Sequence, residues 1–213
     1  MLREHIPDYE TAQREITASN VKFYSYYGFD DWVNLTGLQL PIFPENFAPK
    51  KDFVLHGTYP SFTLFIKNDN VWLDIKFNLF DKSIYVTWFI LTETRRRYGR
   101  KMLEHFIKVA NKMGFLILRC QADSERIVEG KRLNGSQAWG RMGFIMSYRS
   151  HCDFLKIMRE NNREEKCLQH LLFSEEGIDF WNAKILKWRA VFDLRENSKN
   201  RRLLKLLNDF MGL

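Results

Sequence analysis

The stretch Thr92-Glu93-Thr94-Arg95-Arg96-Arg97-Tyr98-Gly99-Arg100-Lys101-Met102-Leu103 holds the residues best suited to chemistry. Arg95, Arg96, Arg97, Arg100 and Lys101 surround the point where an apolar run gives way to helical spacing. The first turn of a helix already carries unpaired N–H groups and a partial positive charge. Further cations there oppose the dipole unless an anion compensates. Phosphate is the natural one, because backbone donors and guanidinium groups converge on it. Gly99 would let the backbone come close to such a ligand. A second reading stands beside this one, a solvated basic helix start, which is what charge runs commonly are.

Other reactive side chains point to less. Cys120, Cys152 and Cys167 are odd in number and lack CxxC spacing, so they read as reduced thiols, with Cys120 and Cys152 expected in core strands. His5, His56, His105, His151 and His170 show no HxxxH or HExxH pairing, and no metal site is expected. His105 falls inside a helix and reads as structural; His151 is expected in an exposed turn between strands.

The elements that must position the basic turn can be read from periodicity. Helices are expected over 8–18 and 21–35, then loops where Pro41, Pro44, Pro49 and Pro60 break the chain. Phe62, Leu64 and Ile66 alternate with polar residues, as do Val71, Leu73, Ile75, Phe77 and Leu79, across an Asn68-Asp69-Asn70 turn. That is a hairpin with one buried face. Residues 84–91 are apolar on both faces, as in a central strand. Met102, Leu103, Phe106, Ile107, Ala110 and Met113 then recur at helical spacing over 98–113, and Gly114 closes the helix. A strand over 115–120, a helix over 133–142 and strands over 144–148 and 154–158 come next. The expected class is α/β (α+β), a mixed central sheet with flanking helices. Residues 161–165 form a polar junction. Beyond it lies an aromatic-rich extension with Phe180, Trp181, Trp188 and Phe192. A helix over 198–210 is expected to place Leu203, Leu206, Leu207 and Phe210 on one face.

Strand, arginine-rich turn, glycine and Leu-bearing helix together resemble the acyl-CoA motif of the GNAT superfamily, Q/R-x-x-G-x-G/A. Gly99 takes the second glycine, and Met102-Leu103 falls on the family's paired leucines. Ala138-Trp139-Gly140-Arg141-Met142-Gly143-Phe144 is similar to the later A-x-x-x-x-G-F ending, and the resemblance covers roughly residues 61–158. It implies a GNAT-like domain over 1–160, its first 60 residues helical with loops, with 161–213 packing on the domain or on a protein partner. It implies an N-acyltransferase that passes an acetyl group directly from acetyl-CoA to an amine of unidentified kind, whether small molecule, protein or nucleic acid. Contacts to the acyl-CoA would come from Phe89, Leu91, Arg96, Arg97, Tyr98, Gly99, Arg100, Lys101 and Trp139. Glu93 and Asp123 come just after the strands at whose ends the acceptor would sit, and are the candidate bases. Three positions depart from the pattern. Arg97 replaces the first glycine, Thr94 holds the Q/R position, and Trp139 stands where a tyrosine is common, offering an N–H donor but no usable acid.

Composition sets the outer limits. With 45% hydrophobic residues in 213, the chain can bury a core and is not of the disordered class. Apolar runs such as 86–91 are too short to cross a bilayer, and the charged start Met1-Leu2-Arg3-Glu4-His5 is not that of a signal peptide. A soluble cytoplasmic protein is expected. The net charge of +7 suits an anionic partner: nucleic acid, an acidic surface or a polyphosphate cofactor. Two alternatives to acyl transfer therefore stay open. One is a catalytically silent binding or structural protein. The other is a nucleic-acid-directed modifying protein using Arg195, Lys199, Arg201, Arg202 and Lys205. Tyr24, Tyr26, Tyr27, Phe29 and Trp32 read better as a helix face packed on the sheet than as an acceptor groove.

Overall fold

The computed structural model describes residues 27–44, 47–58, 60–91, 98–123, 127–128, 131–132, 135–184 and 187–210. The expected helix over 8–18 and the first part of that over 21–35 lie outside them. The fold is mixed α/β, with seven strands in the main sheet and helices flanking it. The chain divides into two compact units, Met1–Leu116 and Ile117–Leu213.

The first unit contains α1 (Phe29–Leu35), a single 3-10 turn at Lys50–Asp52, β1 (Val54–Thr58), β2 (Ser61–Lys67), β3 (Val71–Asn78), β4 (Ser83–Leu91) and α2 (Tyr98–Lys112). The four strands pair in sequence order, each antiparallel to the next. The β2–β3 turn closes because Asn68 Oδ1 accepts the N–H groups of Asn70 and Val71, at 2.9 and 3.0 Å. The expected alternation holds: Phe62, Leu64, Ile66, Val71, Leu73, Ile75 and Phe77 are all buried. Trp32 of α1 is wholly buried, edge-on to Phe62 at 4.7 Å and Phe77 at 5.0 Å. Rings of this size supply much of a small core's burial, so α1 is a packed helix as expected. Strand β1 was not expected. Exposed His56 and then Gly57, with φ +123°, interrupt the apolar pattern of Val54 and Leu55.

The second unit contains β5 (Ile117–Ala122), a ribbon of β6 (Ile127–Val128) and β7 (Lys131–Arg132), α3 (Gly135–Arg141), β8 (Ile145–Met146), α4 (Tyr148–Glu160), α5 (Leu168–Leu171), α6 (Glu175–Ala183), β9 (Trp188–Asp193) and α7 (Lys199–Phe210). Strand β9 runs between β5 and β8, antiparallel to both, from Ile117↔Asp193 to Ala122↔Trp188 on one side. Trp188, Ala190 and Phe192 point inward and are buried.

Several expectations need correction here. Residues 154–158 are not a strand but the middle of α4. Ser147 caps that helix by accepting the Ser150 N–H, and Phe154 and Met158, four residues apart, are its buried positions. His151 and Cys152 are therefore helical, and Cys152 is exposed, whereas Cys120 is buried as expected. The expected strand over 144–148 contracts to Ile145–Met146. On α7 the buried stripe is Asn200, Leu204 and Leu207, while Leu206 is 59% exposed. Among the described residues no helix is long and apolar enough to cross a membrane.

Candidate functional site

The junction of β4 with α2 carries the densest set of candidate residues. Residues 92–97, among them Glu93, Thr94, Arg95, Arg96 and Arg97, lie outside the described residues. Helix α2 itself is well anchored. Tyr98 opens it with a ring buried against Phe43 at 4.7 Å and Phe47 at 6.1 Å. His105 Nε2 meets the Asn34 carbonyl at 2.8 Å, tying the middle of α2 to α1 and confirming a structural role for that histidine. Among the described residues no acidic side chain occupies the first turn of α2, where one would offset the positive end of the helix.

Within this junction, Phe89, Leu91 and Gly99 come together. A methyl group added at Gly99 would lie 3.5 Å from Phe89 Cε1 and 3.8 Å from Leu91 Cδ1, which is ordinary contact distance. Gly99 does not adopt a positive φ either. Among the described residues, packing therefore does not require a glycine here, although glycine costs a helix about 1 kcal/mol against alanine. Arg100 is mostly buried, and its Nε lies 3.4 Å from Glu104 Oε1, one turn along the helix. Lys101 is exposed.

Asp123 and Trp139 belong to the second unit, and the structure brings them together through Gly135. The Cα of Gly135 faces the Asp123 backbone so closely that a Cβ would stand 2.8 Å from the Asp123 carbonyl oxygen and 3.5 Å from Trp139 Cδ1. Glycine is obligatory at this start of α3. Asp123 is buried, and Trp139 is an interior residue packed edge-on to Phe144 at 4.8 Å. The C-terminal tryptophans attach to the same turn. Trp181 Nε1 donates to Ser136 Oγ and Trp188 Nε1 to the Ser136 carbonyl, both at 2.9 Å.

Sequence reasoning passed over one cluster in the first unit. The β3–β4 register shifts between Asp74 and Ile75: Asp74 pairs with Trp88 and Ile75 with Val86, leaving Thr87 as the extra residue of a bulge. Burial pushes the Asp74 carboxyl above the ordinary carboxylate range, against the opposing pull of Lys76, the Thr87 hydroxyl and His56. The Thr87 hydroxyl lies beside this carboxyl but makes no hydrogen bond of normal geometry. Asp74 was visible in the sequence only as one outward position of an alternating strand.

No family description matches the chain, and no curated protein matches it. Among solved structures the chain is similar to Tetrahymena GCN5, with 19% identity and a TM-score of 0.26, over 45% of this chain. The matched part spans 61% of that protein's chain.

Proposed function

We propose that the chain transfers an acetyl group from acetyl-CoA to an amine, with the β4–α2 junction as the cofactor's phosphate cradle. The observation that carries this reading is Gly99. A glycine that the described residues do not demand by packing, in a helix whose first turn holds no acidic residue, is explained by a ligand approaching the backbone. The GNAT-like motif around it supplies the ligand's identity. Lys101, and the arginines that precede Tyr98, would add charge to the backbone donors. Phe89 and Leu91 would flank the cofactor's arm. Glu93 and Asp123 are the proposed bases.

Calorimetric titration with CoA tests the reading directly. Gly99→Ala should leave the fold intact and weaken CoA binding by about tenfold, the loss of one charge-assisted contact. Lys101→Ala should weaken it similarly if its ammonium reaches phosphate. Wild-type protein that takes up no CoA at millimolar concentration would sink the proposal. A second reading, a fold kept for binding without catalysis, is favoured by the packing of Trp139 against Phe144, which commits the indole to the interior. That reading predicts no transfer to any amine of a broad panel.

A further inference from the structure

Five cations lie on α7 or just before it: Arg195, Lys199, Arg201, Arg202 and Lys205. The structure divides them. Arg195 is clasped by the Asp193 carboxylate, with Nε 2.9 Å from Oδ1, and Arg201 is tied to the Leu194 carbonyl by Nη2 at 2.9 Å. Lys199, Arg202 and Lys205 are exposed, and none of the three pairs with an acidic side chain among the described residues. Arg202 only donates to the Asn197 carbonyl, at 3.3 Å. The three recur at every third residue, so they follow one another at about 4.5 Å along the helix axis. They share the side opposite buried Asn200, Leu204 and Leu207.

Two features set this row apart from an ordinary solvated face. The first turn of α7 holds no acidic residue, and Lys199 stands at the positive end of the helix dipole. A cation is unfavourable there unless an anion faces it. Lys156, Arg163 and Arg195 of the same unit, by contrast, each face a carboxylate of their own. Exposed Asp209 bounds the row one turn beyond Lys205. What remains is two turns of helix showing three unmatched positive charges to solvent.

We infer that this side of α7 docks on the backbone of a B-form DNA duplex, with Lys199, Arg202 and Lys205 each meeting a phosphate. A membrane surface fits less well. An interfacial helix inserts its apolar side, and here Leu204 and Leu207 are already buried, leaving only Leu206 outside. Single strands are gripped by stacking on exposed aromatics, and among the described residues the row displays none. Width separates the two duplexes: the B-DNA major groove, about 12 Å across, admits a helix, whereas that of A-form RNA is too narrow. Contacts to phosphate carry no sequence information, so the docking is not sequence-specific. It needs no acyl-CoA and stands apart from the acyl-transfer reading.

Fluorescence anisotropy of a short labelled DNA duplex of mixed sequence, titrated with the full chain at about 50 to 200 mM salt, tests the docking. Wild type should bind, with the logarithm of the association constant falling linearly in the logarithm of salt. Lys199→Gln, Arg202→Gln and Lys205→Gln combined should reduce the magnitude of that slope by about 2.7, and Arg202→Gln alone by about 0.9. Lys67→Gln, Lys76→Gln and Lys82→Gln combined remove equal charge from the first unit and should leave the slope as in wild type. The α7 substitutions are exposed and relieve the dipole, so the urea midpoint should be no lower than that of wild type. Should the triple variant unfold, Arg202→Gln carries the test. Wild type that binds no duplex would overturn the inference, as would equal slope changes in the two triple variants. Tighter binding of a single strand or an RNA duplex would overturn it too, and so would uptake by phosphatidylserine vesicles without DNA binding.

Discussion

Gly99 and Gly135 both lie in the first turn of a helix, yet a methyl group would meet different surroundings at each. At Gly135 it would press on the Asp123 backbone at 2.8 Å, which has no rotamer by which to yield. Gly135→Ala should therefore destabilise the chain by about 1–3 kcal/mol, the usual cost of overpacking. At Gly99 the nearest atom is a phenylalanine ring edge at 3.5 Å, so Gly99→Ala should stabilise the chain by about 0.5–1 kcal/mol through helix propensity and a stiffer unfolded chain. Urea unfolding with unchanged m-values would show the opposite signs, and equal signs would refute the distinction. The sequence singled out Gly99 from its arginine-rich setting but gave no sign that Gly135 is the sterically fixed one. Close approach to Asp123 is a tertiary fact. The same holds for Asp74, whose exceptional surroundings arise from a register shift that alternation cannot reveal.

At the scale of elements, legibility tracked the strength of the period. Strand β4 and helix α2 were visible because nine mostly apolar residues give way to a long 3.6-residue repeat. Helix α4 was misread because Phe154, Leu155, Ile157 and Met158 form a run short enough to pass for a strand. What joins α4 to its neighbours is a charge clasp. Arg163, just past α4, donates to both carboxylate oxygens of Glu165 and, at 2.7 Å, to Glu176 in the first turn of α6, with its guanidinium 4.9 Å from the Phe180 ring centre. Hydrogen bonding to Arg163 holds the Glu165 carboxyl below the usual range. A lowered folded value means that this stability is present above the unfolded pKa, about 4.3, and is lost as pH falls through the folded one. Asp74 works in the opposite sense: with its folded value raised, its contribution is present below about 3.9 and is lost as pH rises through the folded value. Replacing Glu165 by Gln should thus flatten the acid limb of stability. Unfolding free energies measured from pH 7 to 3 should converge for variant and wild type at the acid end. A constant gap across that range would contradict the clasp.

At the scale of the whole molecule, the aromatic stretch beyond residue 160 is interior material of the second unit. Trp181, Trp188 and Phe192 are buried, and the two tryptophans anchor to Ser136. Asn200 adds to the attachment by donating to the carbonyls of Gly143 and Val191 and accepting the Asp193 N–H. Amides of β9 should accordingly be among the slowest to exchange in the second unit, and deleting residues 187–213 should abolish its cooperative unfolding. Fast exchange across Trp188–Asp193 in the intact protein would contradict both. The place of β9 between β5 and β8 also has a consequence for synthesis. Ile117 must wait for Asp193, 76 positions later by their numbering, before that pair can form. As the chain leaves the ribosome, the β9-facing edges of β5 and β8 stay open until β9 itself has emerged, a state that invites wrong pairing. Chaperone dependence of the newborn chain should therefore be concentrated in the interval between the emergence of β5 and that of β9.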